Sequence, residues 1–460
     1  MKKRKYQHHV YWMMSLFVVV AVVGLGGSIL YLQTKSLAHA SPSRHNFTLD
    51  LAHPQYWYGG AAAVGMNLGC QSPASAARCY TPQQIRNAYH VTPLLTAGIT
   101  GAGHTIVIVD AFQSPTIRHD LQMFDRVFGL KDPTLRIIAP DGLAPFNQKD
   151  PVQVSWAAEI TLDVEWAHAV APGAAIDLVL SNPTKDPRAN TLSGFLLNLL
   201  RATRLAVNNN LGDVISQSFG GNEACISKQA LQAQHQVFQQ AVAKHITLLA
   251  ASGDRGAAEV DCTFTTFTRN VSAPASDPLV TAVGGTTLNA NATTGAYKGE
   301  TAWMGSGGGF STVFPQPAFQ QGVRGIGKQR GVPDIAYNAD PRSGVLVIWS
   351  SSGQGADLAV VFGGTSAGSP QWAGITVLLN QMMGKRIGFL NGALYRLGKS
   401  ALNAQSLHDI TMGMNNFVGK DANGLAVAVR GFDAGKRWDP VTGWGTPNVV
   451  SLVMLLPRFV

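Results

Sequence analysis

His104-Thr-Ile-Val-Ile-Val-Asp110 is a short run of β-branched residues that follows two glycines and stops on an acid. Such a run, apolar at consecutive positions, reads as a strand buried on both faces, as in a parallel sheet. Similar runs recur at Ala175-Ile-Asp-Leu-Val-Leu180, Val214-Ile-Ser-Gln-Ser218, Ile246-Thr-Leu-Leu-Ala-Ala251 and Leu279-Val-Thr-Ala-Val283. Helix-length segments lie between or after them, at 153–170, 190–208, 226–244 and 366–383. Alternating strand and helix predicts an α/β fold whose central sheet is mostly parallel and flanked by helices. In such folds functional residues gather where loops leave the carboxyl ends of the strands. Before the first strand, Thr81-Pro82-Gln83-Gln84 has the form of a helix start, with Thr81 as cap and Pro82 in the first turn.

Of the 460 residues, 46% are hydrophobic and 13% charged, enough for a large core and too apolar for disorder. The 49 glycines follow no collagen-like period, so they belong to turns and close backbone approaches. The formal charge of +9 is unevenly placed: Lys2, Lys3, Arg4, Lys5 and Lys35 stand in the first 40 residues, which hold no acid. Without them 30 basic residues face 26 acidic ones, a balance of +4, and no dense basic run interleaved with aromatics follows. Nucleic-acid binding therefore has no support. The basic start is followed by an apolar stretch from Val10 to Leu32 and by Ala38-His39-Ala40. The stretch is long enough to span a bilayer, which favours an uncleaved anchor. The small-x-small triplet favours a cleaved signal peptide. Either way the rest of the chain is expected outside the cytoplasm, secreted or tethered to the outer face of the membrane. Residues 41–75 read as a linker or irregular lead-in, and 76–460 as one domain. Cys70, Cys79, Cys225 and Cys262 allow three pairings in an exported chain, and proximity favours Cys70–Cys79 with Cys225–Cys262.

Two stretches carry chemistry. Ser155-Trp-Ala-Ala-Glu159-Ile-Thr-Leu-Asp163-Val-Glu-Trp-Ala-His168 has helical periodicity, with Ser155 able to cap it and an apolar stripe of Trp156, Ile160, Val164 and Ala167. Glu159 and Asp163, four apart, share another face, where two carboxylates repel and, if poorly solvated, one retains its proton. A polar helix face with two chance acids has the same pattern. The second stretch is Gly363-Gly364-Thr365-Ser366-Ala367-Gly368-Ser369-Pro370, between an apolar run ending at Phe362 and a helical one. A serine at a glycine-rich strand–loop–helix junction serves as a helix cap or as a nucleophile beside free N–H groups.

Gly-Thr-Ser366-Ala-x-x-Pro370 resembles the active serine motif of the subtilisin clan, yet no matching histidine motif stands early in the chain. Glu159-x-x-x-Asp163 on a helix resembles instead the sedolisin, or serine-carboxyl peptidase, family. Ala251-Ser252-Gly253-Asp254-Arg255-Gly256, directly after a strand, is similar to the family segment that places an aspartic acid in the oxyanion hole. Lesser similarities at Gly101-x-Gly103, Ser218-Phe219-Gly220, Pro274-Ala-Ser-Asp277, Val283-Gly-Gly-Thr286, Gly307-Gly308-Gly309 and Thr442-Gly-Trp-Gly445 extend the resemblance over roughly residues 76–455.

The resemblance implies a subtilisin-like fold and an acid-acting endopeptidase working on a protein or peptide substrate. Ser366 would be the nucleophile, Glu159 its general base, Asp163 the partner that orients Glu159, and Asp254, protonated, a donor to the oxyanion. A glutamate of ordinary pKa, about 4.3, is half ionised where histidine is fully protonated, which accounts for work in acid. Ser218 and Gly220 would line one side of the cleft, where Phe219 replaces the more usual tryptophan, and the Gly307–Gly309 segment would pair with substrate backbone. That glycine run lacks the ending of a phosphate loop. One structural Ca²⁺ ion is expected from carboxylates of Asp409 and Asp439 and backbone carbonyls of Ile410, Gly435 and Arg437. Arg437 stands where the family usually has glycine. About 35 residues separate Ala40 from the first matching segment, too few for the folded prosegment that the family generally carries.

Three other readings remain open at this level: a catalytically silent exported binding protein on the same scaffold, a glycoside hydrolase using Glu159 and Asp163, and a Ser-His-Asp hydrolase using His104, His168 or His245. Carboxylates on adjacent turns of one helix are poorly placed to flank a sugar bond. The working expectation is a monomer, with an N-terminal membrane contact where the apolar segment is retained.

Overall fold

A computed structural model describes residues 54–62, 68–72 and 75–460. The expected export segment at 1–40 and much of the 41–75 lead-in lie outside these residues. Eight strands form the main sheet: β1 (Thr105–Ala111), β2 (Leu135–Ile138), β3 (Ala175–Ser181), β4 (Val214–Gln217), β5 (Thr247–Ala251), β6 (Thr281–Ala290), β7 (Tyr297–Ala302) and β8 (Ile335–Asn338). Their order is β7-β6-β5-β4-β1-β3-β2, with β8 also on β6. All these pairs are parallel except the β6–β7 edge. The expected α/β architecture with a largely parallel central sheet is therefore present.

Both faces of the sheet are covered, which explains the uninterrupted apolar runs. Along β1, Ile106 and Ile108 belong to one hydrophobic cluster while Val107 and Val109 belong to the other. The first face carries helices α1 (Pro151–Val170) and α4 (Thr365–Met383), packed against each other; α2 (Leu192–Asn208) and α3 (Lys228–Ala243) cover the second. Among the described residues no helix is long and apolar enough to cross a membrane.

A second sheet of four strands flanks α1. Its order is Gln55–Ala62, Leu358–Gly363, Ser343–Trp349 and Arg78–Tyr80. Part of the stretch read as an irregular lead-in is thus a strand, antiparallel to Leu358–Gly363. Its sequence, QYWYGGAA, has no alternation because it packs aromatic against aromatic: Tyr56 stacks on Phe362 at 5.1 Å and meets Trp349 edge-on at 5.3 Å. Cys70–Cys79 ties this region down and Cys225–Cys262 closes a loop beside the main sheet. The proximity pairing is the one found.

Local signals decided the helix ends. Thr81 and Gln84 form a reciprocal capping box ahead of the Pro82–Ala88 helix, with distances of 3.3 and 2.9 Å. For α1 the cap is Asp150, whose carboxylate accepts the Val152 N–H at 3.0 Å; Ser155 lies inside the helix, because Pro151 suits a first turn and sets the start earlier.

Candidate active site

Helix α1 is not amphipathic. From Trp156 to Val170 every side chain is buried, wedged between the two sheets and α4. The polar residues on it must therefore find partners inside the protein. Glu165 accepts the Ile348 N–H at 3.0 Å and Trp166 donates to the Leu346 carbonyl at 3.0 Å, both on the second sheet. Glu159 and Asp163 face the other way, toward the start of α4. Asp163 Oδ1 accepts the Ser218 hydroxyl at 2.9 Å, and that hydroxyl also lies 3.4 Å from the Ser366 carbonyl.

Burial pushes the Glu159 carboxyl well above its ordinary range; the neighbouring Asp163 and Asp110 push it further, while the Ser366 hydroxyl pulls it back. Burial also raises Asp163, against hydrogen bonds from Ser218 and Glu159. Neither Glu159 oxygen has a well-formed hydrogen bond, so both are left open toward Ser366 and Asp163. A third acid completes the group. Asp110, at the carboxyl end of β1, is fully buried with both oxygens unpartnered, and its pKa is raised by burial first and Asp163 second. The sequence showed Asp110 only as a strand ending; an acid closing an apolar strand was the available signal.

Ser366 stands at the second position of α4, not at its cap. The cap is Gly364, with φ of +96° and no side-chain bond. The glycine is required twice over: the angle is left-handed, and a Cβ there would sit 2.4 Å from Asp254 Oδ2. At the second helical position the Ser366 N–H has no intrahelical partner and remains available as a donor. The preceding strand belongs to the second sheet, so the serine is presented where the two sheets meet.

Asp254 follows β5 directly, at the carboxyl end of a parallel strand. Its Oδ1 accepts both the Thr365 N–H at 2.7 Å and the Thr365 hydroxyl at 2.8 Å. Thr365 Oγ1 in turn takes the Gly253 N–H at 3.1 Å, which locks the β5 loop to the start of α4. Burial raises Asp254 to about 6 in spite of these hydrogen bonds. Its side chain still lines the cleft, together with Ser218, Gly220, Glu259, Ser272 and Ser366. Phe219 also lines it and rests 6.2 Å from the Trp156 ring.

Gly307, Gly308 and Gly309 are not among the cleft-lining residues, and all three are buried. The Gly307 N–H donates to the Gly253 carbonyl at 2.7 Å and its own carbonyl accepts the Ser252 hydroxyl at 2.7 Å. Gly307 thus braces the Asp254 loop with both backbone groups already used. The candidate histidines serve elsewhere: His104 faces Asp213 at 3.3 Å, His168 faces Asp125 at 3.1 Å, and His245 lies against Gly388. None of the three lines the cleft.

Asp409 and Asp439 converge on the 435–439 loop. Both oxygens of Asp409 accept the Arg437 N–H at 2.9 Å, and Asp439 accepts N–H groups of Gly435, Val441 and Thr442. Burial lifts Asp439 to about 6 against these bonds. Arg437 adopts φ of +67°, and its guanidinium turns away to the Gly398 carbonyl and the Trp444 ring. The left-handed loop is thus kept without glycine, and its cation is directed off the acids. Among the described residues no three His, Cys, Asp or Glu side chains group closely enough to hold a metal. The two acids fit a hard cation only with backbone oxygens in the set.

No family model matches the chain. Among curated proteins it is 32% identical over 401 residues to kumamolisin of Bacillus sp. (strain MN-32), covering 84% of this chain and 65% of that protein. It is 30% identical over 394 residues to sedolisin of Pseudomonas sp. (strain 101), covering 82% and 61%. Over 419 residues it is 30% identical to tripeptidyl-peptidase 1 of Rattus norvegicus, covering 86% and 66%. The chain spans less than two thirds of the length of these relatives. The solved structure of Pseudomonas sedolisin, a serine-carboxyl proteinase complexed with two molecules of pseudo-iodotyrostatin, superposes with a TM-score of 0.69 at 27% identity, covering 83% of this chain and 99% of that one.

Proposed function

Because the chain belongs by sequence and fold to the sedolisin/kumamolisin family of the subtilisin-like clan, we propose that it is a serine-carboxyl endopeptidase that cuts proteins or peptides in acid through an acyl-enzyme on Ser366. The observation that carries this reading is convergence. Asp110 on β1, Asp254 after β5 and Ser366 on α4 come from three distant parts of the chain, yet all act on the Glu159 carboxyl.

Ser366 Oγ attacks the scissile carbonyl and Glu159 takes its proton, later passing it to the leaving amine. Asp163, one turn along α1, shares its proton with Glu159 and is itself fixed by the Ser218 hydroxyl. The three clustered acids share protons rather than ionise together, so one charge serves as the base while the others stay neutral. Asp254, protonated below about 6, donates to the developing oxyanion beside the Ser366 N–H. Water then releases the acyl group by the same route in reverse.

A chromogenic peptide ester mixed with the protein at pH 4 tests the acyl-enzyme. The expected trace is a burst of about one equivalent of leaving group, absent in Ser366→Ala; a linear trace with no burst and no trapped acyl group on the Ser366 peptide would overturn it.

The reading extends to the rest of the molecule. One structural Ca²⁺ would be held by Asp409 and Asp439 with the carbonyls of Ile410, Gly435 and Arg437, where it would join the 435–439 loop to the body. Both disulfides fit an oxidising compartment, and the protein works outside the cytoplasm, secreted or tethered by its first 40 residues.

A further inference from the structure

A second open groove lies apart from the active-site cleft. It has a volume of about 640 Å³, in the range of true ligand sites, and lies between α3 and the Gly309–Pro315 strand. Lys228, Gln232, His235 and Gln239 reach it from one face of α3, at spacings of four, three and four residues. Val313 and Phe314 form the opposite wall, and Val313 is 42% exposed.

The charge of this groove is one-sided. Helix α3 contains no Asp or Glu, and neither does the Gly309–Pro315 strand. Lys228 has no acid partner among the described residues. Two acids lie nearby, both fully buried: Glu223, which accepts the Ser311 hydroxyl and the Thr312 N–H of the strand, and Asp277, behind His235, whose Nδ1 donates to it at 2.9 Å; the Leu279 N–H also donates to Asp277, at 2.9 Å. Engaging Nδ1 in this way leaves Nε2 as the ring edge for the groove. The Phe314 ring, 6.2 Å from the imidazole, steadies it from the strand side.

We propose that this groove is a second binding site, one that takes an acidic stretch of a polypeptide. Its carboxylates would pair with His235 Nε2–H and Lys228, its backbone with the Gln232 and Gln239 amides, and its apolar atoms with Val313 and Phe314. The hydrogen bond to Asp277 holds the His235 pKa above the ordinary imidazole value, so the ring is cationic in acid. Asp277 and Lys228 are the charged groups that face it. Continuity supports a polypeptide: Ser272, which lines the active-site cleft, begins the same short buried segment that ends in Asp277 behind His235, so cleft and groove flank one stretch of chain. The proposal rests on the reading that the protein handles polypeptides, but not on its ability to cut them.

The test is therefore binding. A fluorescent octapeptide of alternating Glu and Gly is titrated with the Ser366→Ala protein at pH 6, beside its Gln–Gly counterpart and free glutarate. The expected result is binding of the Glu peptide at least tenfold tighter than either control. A loss of about tenfold is expected in Lys228→Gln/His235→Gln, and separately in Val313→Asp, whose exposed side chain leaves the core unchanged. Equal binding of the Glu and Gln peptides, or unchanged binding in both variants, overturns the site; glutarate matching the peptide overturns the polypeptide assignment. Loss of cleavage with binding intact would count against the peptidase reading alone.

Discussion

Thr365 gives both of its donors, the backbone N–H and the hydroxyl, to the same oxygen of Asp254, at 2.7 and 2.8 Å. An oxygen that accepts two hydrogen bonds is a poor place for a proton. When Asp254 is neutral its proton therefore belongs on Oδ2, the oxygen that sits over Gly364 at the mouth of α4. Thr365 thus sets which way the acid donates, one residue before the nucleophile.

This arrangement makes Asp254 a donor only below about pH 6. Replacing it with Asn keeps a donor at the Oδ2 position at every pH, so Asp254→Asn should retain measurable kcat/KM and lose the alkaline fall near pH 6. Asp254→Ala should lose about 10²–10³-fold, the usual cost of one oxyanion donor. Initial rates across pH on one peptide check both; an alanine variant as fast as the parent would remove Asp254 from the mechanism.

Stability should also favour acid. Asp110, Glu159, Asp163 and Glu165 all have folded-state pKa values raised above the ordinary range, with burial the first cause. Stability from such groups is fully present below the unfolded value, about 4, and is lost as pH rises through the folded values. Tm measured by calorimetry should therefore decline from pH 4 toward neutrality. Asp110→Asn removes one of these buried acids and should flatten that decline, and a Tm that climbs from pH 4 to pH 7 would contradict the assignment.

Gly364→Ala places a methyl 2.4 Å from Asp254 Oδ2 on a backbone at φ of +96°. The strain should cost about 1–3 kcal/mol of stability. Displacing Asp254 by about 1 Å should cost kcat/KM on the order of 10²-fold. Denaturant unfolding and peptide kinetics measure the two separately, and a silent substitution would mean that the Asp254–α4 contact is not functional.

Chelation tests the cation. At free Ca²⁺ about 100 times its Kd, binding should add about 2.7 kcal/mol, visible as a Tm that falls on addition of EGTA and recovers with calcium. Asp409→Ala should abolish that response. The same EGTA shift in the variant would place any calcium elsewhere.

Most of the architecture was legible because local and global signals agree. The five β-branched runs each became a strand of the main sheet, since burial on both faces demands the uninterrupted apolar pattern that marks them. Asp254 sits on a loop and Ser366 in the first turn of α4, and Gly364 between them is required by its close approach to Asp254. What failed depends on distant partners. The stripe read on α1 does not exist as a face, because the second sheet covers the side that would otherwise meet water. The Gln55–Ala62 strand has no periodicity of its own and is held by Phe362 and Trp349 some three hundred residues away. Gly307 turns inward because Ser252 and Gly253, remote in sequence, claim its backbone. Asp110 gains significance only when the fold brings it beside Asp163.

The most direct test of the central claim is kcat/KM for a denatured protein substrate from pH 3 to pH 8, measured on the parent, Ser366→Ala and Glu159→Gln. The account predicts cleavage confined to acid, falling as pH passes about 6, and lost in both variants. A neutral optimum that needs Ser366 but not Glu159, or cleavage that survives Ser366→Ala, would contradict it.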